Sequence, residues 1–116
     1  MTATAQALRE EASVERDIEG YLVDPADWNR EIAAELAREE GLELNDDHWK
    51  VMEFMRRYYD EHHVAADARF TIKFLADEAG YGRGARKRLF ELFPYGYVKQ
   101  ACKISGMKRP RAWSTG

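Results

Sequence analysis

The stretch NDDHWKVMEFMRRYYDEHH, residues 45–63, leaves the chain little choice about its fold. Asn45 is a strong helix N-cap, and Asp46 and Asp47 stand beside the positive end of the helix it would start. Trp49, Met52, Met55 or Arg56, and Tyr59 follow at three- and four-residue steps, and Val51, Phe54 and Tyr58 widen the stripe. A helix apolar over so much of its circumference needs neighbours on more than one side. It is expected at the centre of the molecule.

The neighbours are helical too. Asp24-Pro25 is a start signal for a helix through ADWNREIAAELAREEG to about Glu40, with Ile32 and Leu36 on one face and Gly41 as its stop. DARFTIKFLADEAG (67–80) gives another, with Phe70, Phe74 and Leu75 inward and Gly80 ending it. GARKRLFELFP (84–94) gives a fourth, closed by Pro94, and YVKQACKIS (97–105) a short fifth, ended by Gly106. SVERDIEGYLVD (13–24) is different: Val14, Ile18, Tyr21, Leu22 and Val23 around Glu19-Gly20 predict two short strands and a tight turn lying against the helices. Residues 1–12 read as frayed or disordered, and 107–116 as an exposed arm. The expected fold is mainly α: one domain over 1–116, a small bundle of about five helices with an N-terminal β-hairpin, a helix-turn-helix-like C-terminal half and a flexible C-terminal arm.

No apolar run approaches the ~20 residues of a membrane span, and the first residues lack the apolar core of a signal peptide. With a single cysteine there is no internal disulfide, and a cytoplasmic protein with no membrane partner is expected. The net charge of −3 hides a division. Residues 1–80 hold 9 Lys+Arg against 20 Asp+Glu, a net −11, whereas residues 81–116 hold 9 against Glu91 alone, a net +8. The basic third either meets something anionic, a nucleic acid or an acidic protein, or docks on the acidic part of its own chain.

Cys102 lies in that basic third, with Lys99 three residues before it and Lys103 one after. Nearby cations lower a thiol pKa, so the segment fits an activated thiol able to attack, carry or accept sulfur, with Lys99 and Lys103 as tuning charges. It fits equally a small buried hydrophobe. Residues 70–92 have the outline of a helix-turn-helix, with Arg83, Arg86, Lys87 and Arg88 available to phosphates or to a partner protein; a generic helical corner is the alternative. GYGRG (80–84) follows a helix, lacks Gly-Lys-Ser/Thr, and is a turn. His48, His62 and His63 match no metal-site spacing, and no hydrolase constellation stands out, so neither metal nor cofactor is expected.

LFELFPYGYVKQACKISGMKRP resembles the C-terminal signature of the DsrC/TusE family, a string like F-P-x-G-P-x-K-Q-A-C-K-x-A-G-L-P-K-P-x-x-C. Phe93, Pro94, Gly96, Lys99, Gln100, Ala101, Cys102, Lys103, Gly106 and Pro110 match it. EGYLVDPADW (Glu19, Gly20, Tyr21, Leu22, Trp28) and His48-Trp49 are similar too, so the likeness runs from about residue 14 to 112. The resemblance implies a helical domain with a hairpin and a flexible arm, acting as a protein substrate that carries sulfur as a persulfide rather than as a free-standing enzyme. One branch works with dissimilatory sulfite reductase, the other in a relay toward 2-thiouridine in tRNA. It also implies a carrier cysteine as penultimate residue of the arm, with Cys102 corresponding to a second cysteine.

The sequence departs from the family where the carrier should be: Trp113 stands eleven residues beyond Cys102, and RAWSTG holds no thiol. Tyr97 and Lys108 replace two family prolines. Three readings follow. Cys102 is the only possible persulfide acceptor; or the chain is a non-carrying regulatory paralogue that docks on sulfur-relay partners or senses sulfur state; or the basic helix 84–92 binds DNA. The expected partners are sulfur-relay proteins or dissimilatory sulfite reductase subunits, with DNA as the alternative, for a chain that is a monomer when alone.

Overall fold

The computed structural model describes residues 14–110. A 3-10 turn, Pro25–Asp27, precedes α1 (Arg30–Glu39), α2 (Asp46–His62) and α3 (Ala68–Asp77). A second 3-10 turn, Gly82–Gly84, leads into α4 (Ala85–Leu92), and a π-helix follows over Tyr97–Cys102. α3 packs on both α2 and α4, and the π-helix lies on α2. α2, expected at the centre, buries Val51, Met52 and Met55 against these neighbours, while α3 is the helix packed between two others.

Local chemistry sets each boundary. The Asn45 side chain accepts from the N–H groups of Asp47 and His48, and His48 Nδ1 accepts in return from the Asn45 N–H at 3.0 Å. This is a capping box with histidine in the place usually held by Glu or Gln. α1 begins five residues later than the sequence suggests. Asp24 caps only the short turn, Trp28 is extended, and Asn29 starts the helix by accepting from Ile32 N–H at 2.9 Å. Asp67 does the same for α3 through Arg69 N–H at 2.8 Å. Ala33, Leu36, Val51, Met52, Met55, Leu75, Leu89, Leu92, Phe93 and Ile104 form one continuous core with Cys102.

Three expectations need correction. No strand forms among the described residues at 14–24: a single antiparallel bridge joins Arg16 and Leu22. Two backbone bonds flank it, Asp17 N–H to Tyr21 O at 2.8 Å and Val23 N–H to Glu15 O at 3.0 Å, and the Asp17 carboxylate takes the N–H groups of Glu19 and Tyr21 inside the turn, so pairing stops at one bridge. Phe70 is 44% exposed and not inward; it stacks at 5.5 Å on Tyr58 at the edge of the α2–α3 contact. The segment 97–105 is a π-helix at its start, and burial continues through Ile104, Ser105 and Met107, so the arm begins at Lys108. Residues 1–13, where fraying or disorder is expected, and 111–116 with Trp113 lie outside the described residues.

Candidate functional site

The π-helix is pinned from every side. Tyr21 hydroxyl donates to Val98 O at 3.0 Å, and Tyr97 hydroxyl reaches Ala66 O at 2.7 Å and Thr71 Oγ1 at 2.8 Å. Gln100, fully buried, accepts from Tyr95 N–H through Oε1. Just beyond, Trp28 Nε1 donates to Ile104 O at 2.8 Å, and Arg56 donates to Ser105 O at 3.1 Å and Pro25 O at 2.9 Å while lying over the Trp28 ring. Arg56 has no carboxylate partner among the described residues, so its charge is spent on two carbonyls and an aromatic face. Trp28 is among the residues that carry the family resemblance; Arg56 gives no sign in the sequence beyond an arginine on an apolar stripe.

Cys102 sits inside this framework with no exposed surface. Burial pushes its thiol well above the ordinary value, so it is protonated at neutral pH. The two lysines expected to activate it do not contribute to its pKa. Lys99 points to solvent; Lys103 pairs with Glu40 Oε2 at 3.4 Å and lies over the Tyr21 ring at 5.2 Å. For Lys99 the reason is the helix type. The wider i→i+5 turn swings residues three apart from roughly 60° of each other on an α-helix to roughly 110°. Lys99 and Lys103 do share an open cleft of about 410 Å³ with Glu19, Tyr21, Glu40 and Tyr95. Glu19 of that lining pairs with Arg109 at 2.7 Å.

The four basic residues of 83–88 separate into two kinds. Arg83, Arg86 and Lys87 are exposed. Arg88 is not available to a partner in the same way: its Nη2 and Nε lie 2.7 and 3.0 Å from Asp47 Oδ2, and Nη1 is 3.3 Å from Glu91. Tyr81 hydroxyl donates to the same Asp47 oxygen. Tyr81 and then Arg88 hold the Asp47 carboxyl below the usual carboxylate range, against the opposing effect of burial. His48 is occupied with Asn45 and, through Nε2, with Leu92 O at 2.7 Å; burial lowers its pKa. Among the described residues no group of three His, Cys, Asp or Glu could hold a metal ion.

Comparison with known proteins agrees with this arrangement. The family model described as DsrC like protein matches residues 9–112. The sulfurtransferase TusE of Buchnera aphidicola subsp. Acyrthosiphon pisum is 41% identical over 98 residues, covering 84% of this chain and 86% of that protein. TusE of Yersinia pseudotuberculosis is 37% identical over 97 residues, 84% of this chain and 90% of its own. Among solved structures, Allochromatium vinosum DsrC superposes with a TM-score of 0.75 at 38% identity, over 84% of this chain and 88% of that one. The oxidized gamma-subunit of dissimilatory sulfite reductase (DsrC) from Archaeoglobus fulgidus also gives 0.75, at 28% identity over 86% and 91%. The helical core, the pinned KQACKISG segment and these likenesses together make the chain a member of the DsrC-like family.

Proposed function

We propose that this chain is a sulfur-relay protein, working in sulfur metabolism or in tRNA thiolation, and that it takes part by docking on relay partners without carrying sulfur itself. Membership of a family whose relatives are named sulfurtransferase TusE and DsrC supports the first half. The second half rests on one observation: Cys102, the single cysteine of the chain, is fully buried with its thiol held protonated. Sulfur transfer needs a thiolate that a donor persulfide can reach. Cys102 offers neither the charge nor the access, and its surroundings suit a small core hydrophobe. Trp113, where the family pattern has its arm cysteine, cannot hold a persulfide.

Carriage by Cys102 requires the π-helix to leave the core, against the hydrogen bonds from Tyr21, Tyr97, Trp28 and Arg56. Intact-protein mass spectrometry after exposure to a persulfide donor decides between the two readings, with Cys102→Ala as the control. The expected result is no added sulfur on the folded protein and ready modification of the same thiol in denaturant. Gain of one sulfur atom by folded wild type, absent from Cys102→Ala, would overturn non-carriage and make Cys102 the acceptor.

A further inference from the structure

α4 turns Ala85, Leu89 and Leu92 into the core and leaves Arg86, Lys87 and Phe90 outside. Arg86 and Phe90 are one turn apart and share a face, Lys87 is three residues from Phe90, and Arg83 is exposed just before the helix. Phe90 is 41% exposed, a large apolar side chain among cations. None of Arg83, Arg86 and Lys87 has a carboxylate partner among the described residues. The one acid of 81–116, Glu91, is turned to Arg88, and Arg88 is already paired with Asp47. Positive charges in the first turn also oppose the helix dipole, so this arrangement costs the isolated protein stability.

Gly84 adds an independent observation. Its backbone, φ −83° and ψ 1°, lies in a region open to any residue, and a Cβ there would meet no atom within 4 Å. Neither conformation nor packing in the isolated chain calls for glycine between Arg83 and Arg86. A bare backbone at that point does leave room for a second chain to come close.

Building on the docking reading above, we propose that the strip Arg83, Gly84, Arg86, Lys87 and Phe90 is the surface on which an acidic amphipathic segment of a relay partner docks. Its carboxylates pair with the three free cations, and an apolar side chain covers Phe90. The strip suits protein better than nucleic acid. The exposed Phe90 among the cations suits an amphipathic peptide, whose apolar side covers it, better than the charged backbone of a duplex.

Two measurements test this, on wild type, Arg86→Glu/Lys87→Glu, Phe90→Ala and Gly84→Leu, each checked for native helix content by circular dichroism. The first is binding to the purified sulfur-relay complex or sulfite reductase of the same organism. Charge reversal is expected to weaken it roughly tenfold or more, with added salt weakening the wild type, Phe90→Ala and Gly84→Leu, which keep the three cations, more than the charge-reversed protein. Loss of Phe90 or crowding at Gly84 is expected to speed dissociation. The second is an amide NMR titration of wild type with a synthetic Glu/Leu amphipathic helical peptide, with its Glu→Gln version, and with duplex DNA. Shifts are expected to gather at 83–90 with the Glu peptide only. If the relay complex binds all four proteins alike, the strip is overturned while docking stands. If it does not bind wild type, the docking reading falls and the titration judges the strip alone: shifts gathered at 83–90 with the Glu peptide uphold it, and their absence overturns it. Gathering with duplex DNA in place of the peptide overturns it in favour of a nucleic-acid face.

Discussion

Gly106, the last residue of the KQACKISG segment, offers the sharpest test of how that segment is held. Its φ is +80°, and a Cβ built on it would lie 2.4 to 2.7 Å from Cδ1, Cβ and Cγ of Trp28. Gly106→Ala therefore incurs two separate costs. The left-handed backbone conformation costs an alanine about 1–2 kcal/mol. The overlap is worse, because the Trp28 Cβ belongs to a side chain fixed at both ends: its Nε1–H is bonded to Ile104 O, and the Arg56 guanidinium lies over its ring. Restoring ordinary contact moves Trp28 by about 1 Å, costing about 1–3 kcal/mol as overpacking and endangering a hydrogen bond of about 1 kcal/mol.

The total, about 3–6 kcal/mol, is a large part of the 5–15 kcal/mol typical of a domain. At an m-value of about 1.5 kcal/mol/M it lowers the urea midpoint by about 2–4 M. Gly82→Ala is the control, since its φ of +52° carries the backbone cost but its Cβ meets nothing within 4 Å; its loss should be about 1 kcal/mol. Equilibrium urea unfolding of the three proteins gives both numbers, and exchange of the Trp28 indole N–H in NMR reports the local event. A Gly106→Ala protein no less stable than Gly82→Ala, or one whose Trp28 indole stays protected, would refute the reasoning.

Two further outcomes follow from the geometry. Burial lowers the His48 pKa below its unfolded value of about 6.5, so the unfolded chain binds the extra proton first and stability falls as pH drops through that value. The urea midpoint of wild type is therefore expected to be lower at pH 5.5 than at pH 7.5, and His48→Gln, able to accept from Asn45 N–H and donate to Leu92 O without titrating, is expected to lose this site's share of the slope. Gly84→Ala, at a backbone position alanine adopts freely and with open space around it, should raise stability by about 0.4–1 kcal/mol; unchanged or reduced stability in urea unfolding would show that Gly84 serves the isolated fold after all.

What the sequence made legible was local. The Asn45 cap and the wide apolar stripe after it lead directly to α2, and Asp67, Gly80 and Pro94 bracket α3 and α4 at close to their observed ends. At 14–24 the alternation of apolar residues points to the antiparallel pairing of Arg16 with Leu22 but not to its brevity, since it takes no account of Asp17, whose carboxylate takes the N–H of Tyr21. Phe70 was misplaced by a helical face drawn one residue too wide. At Cys102 an α-helical spacing puts Lys99 beside the thiol, whereas a π-turn swings it out.

The charges of 81–116 show the same division between what lies along a chain and what lies across it. In the sequence Arg83, Arg86, Lys87 and Arg88 are four like residues within one turn and a half. In the structure Arg88 is neutralised by an aspartate forty-one positions away, with Tyr81 on the same oxygen, and the other three have no counter-charge among the described residues. Arg88→Ala and Arg86→Ala should therefore differ in kind. The first leaves the mostly buried Asp47 carboxylate with Tyr81 as its main support and should destabilise the fold, whereas the second removes a cation that the fold does not use. Pairing, and not the number of cations, divides residues that hold this protein together from residues free to hold something else.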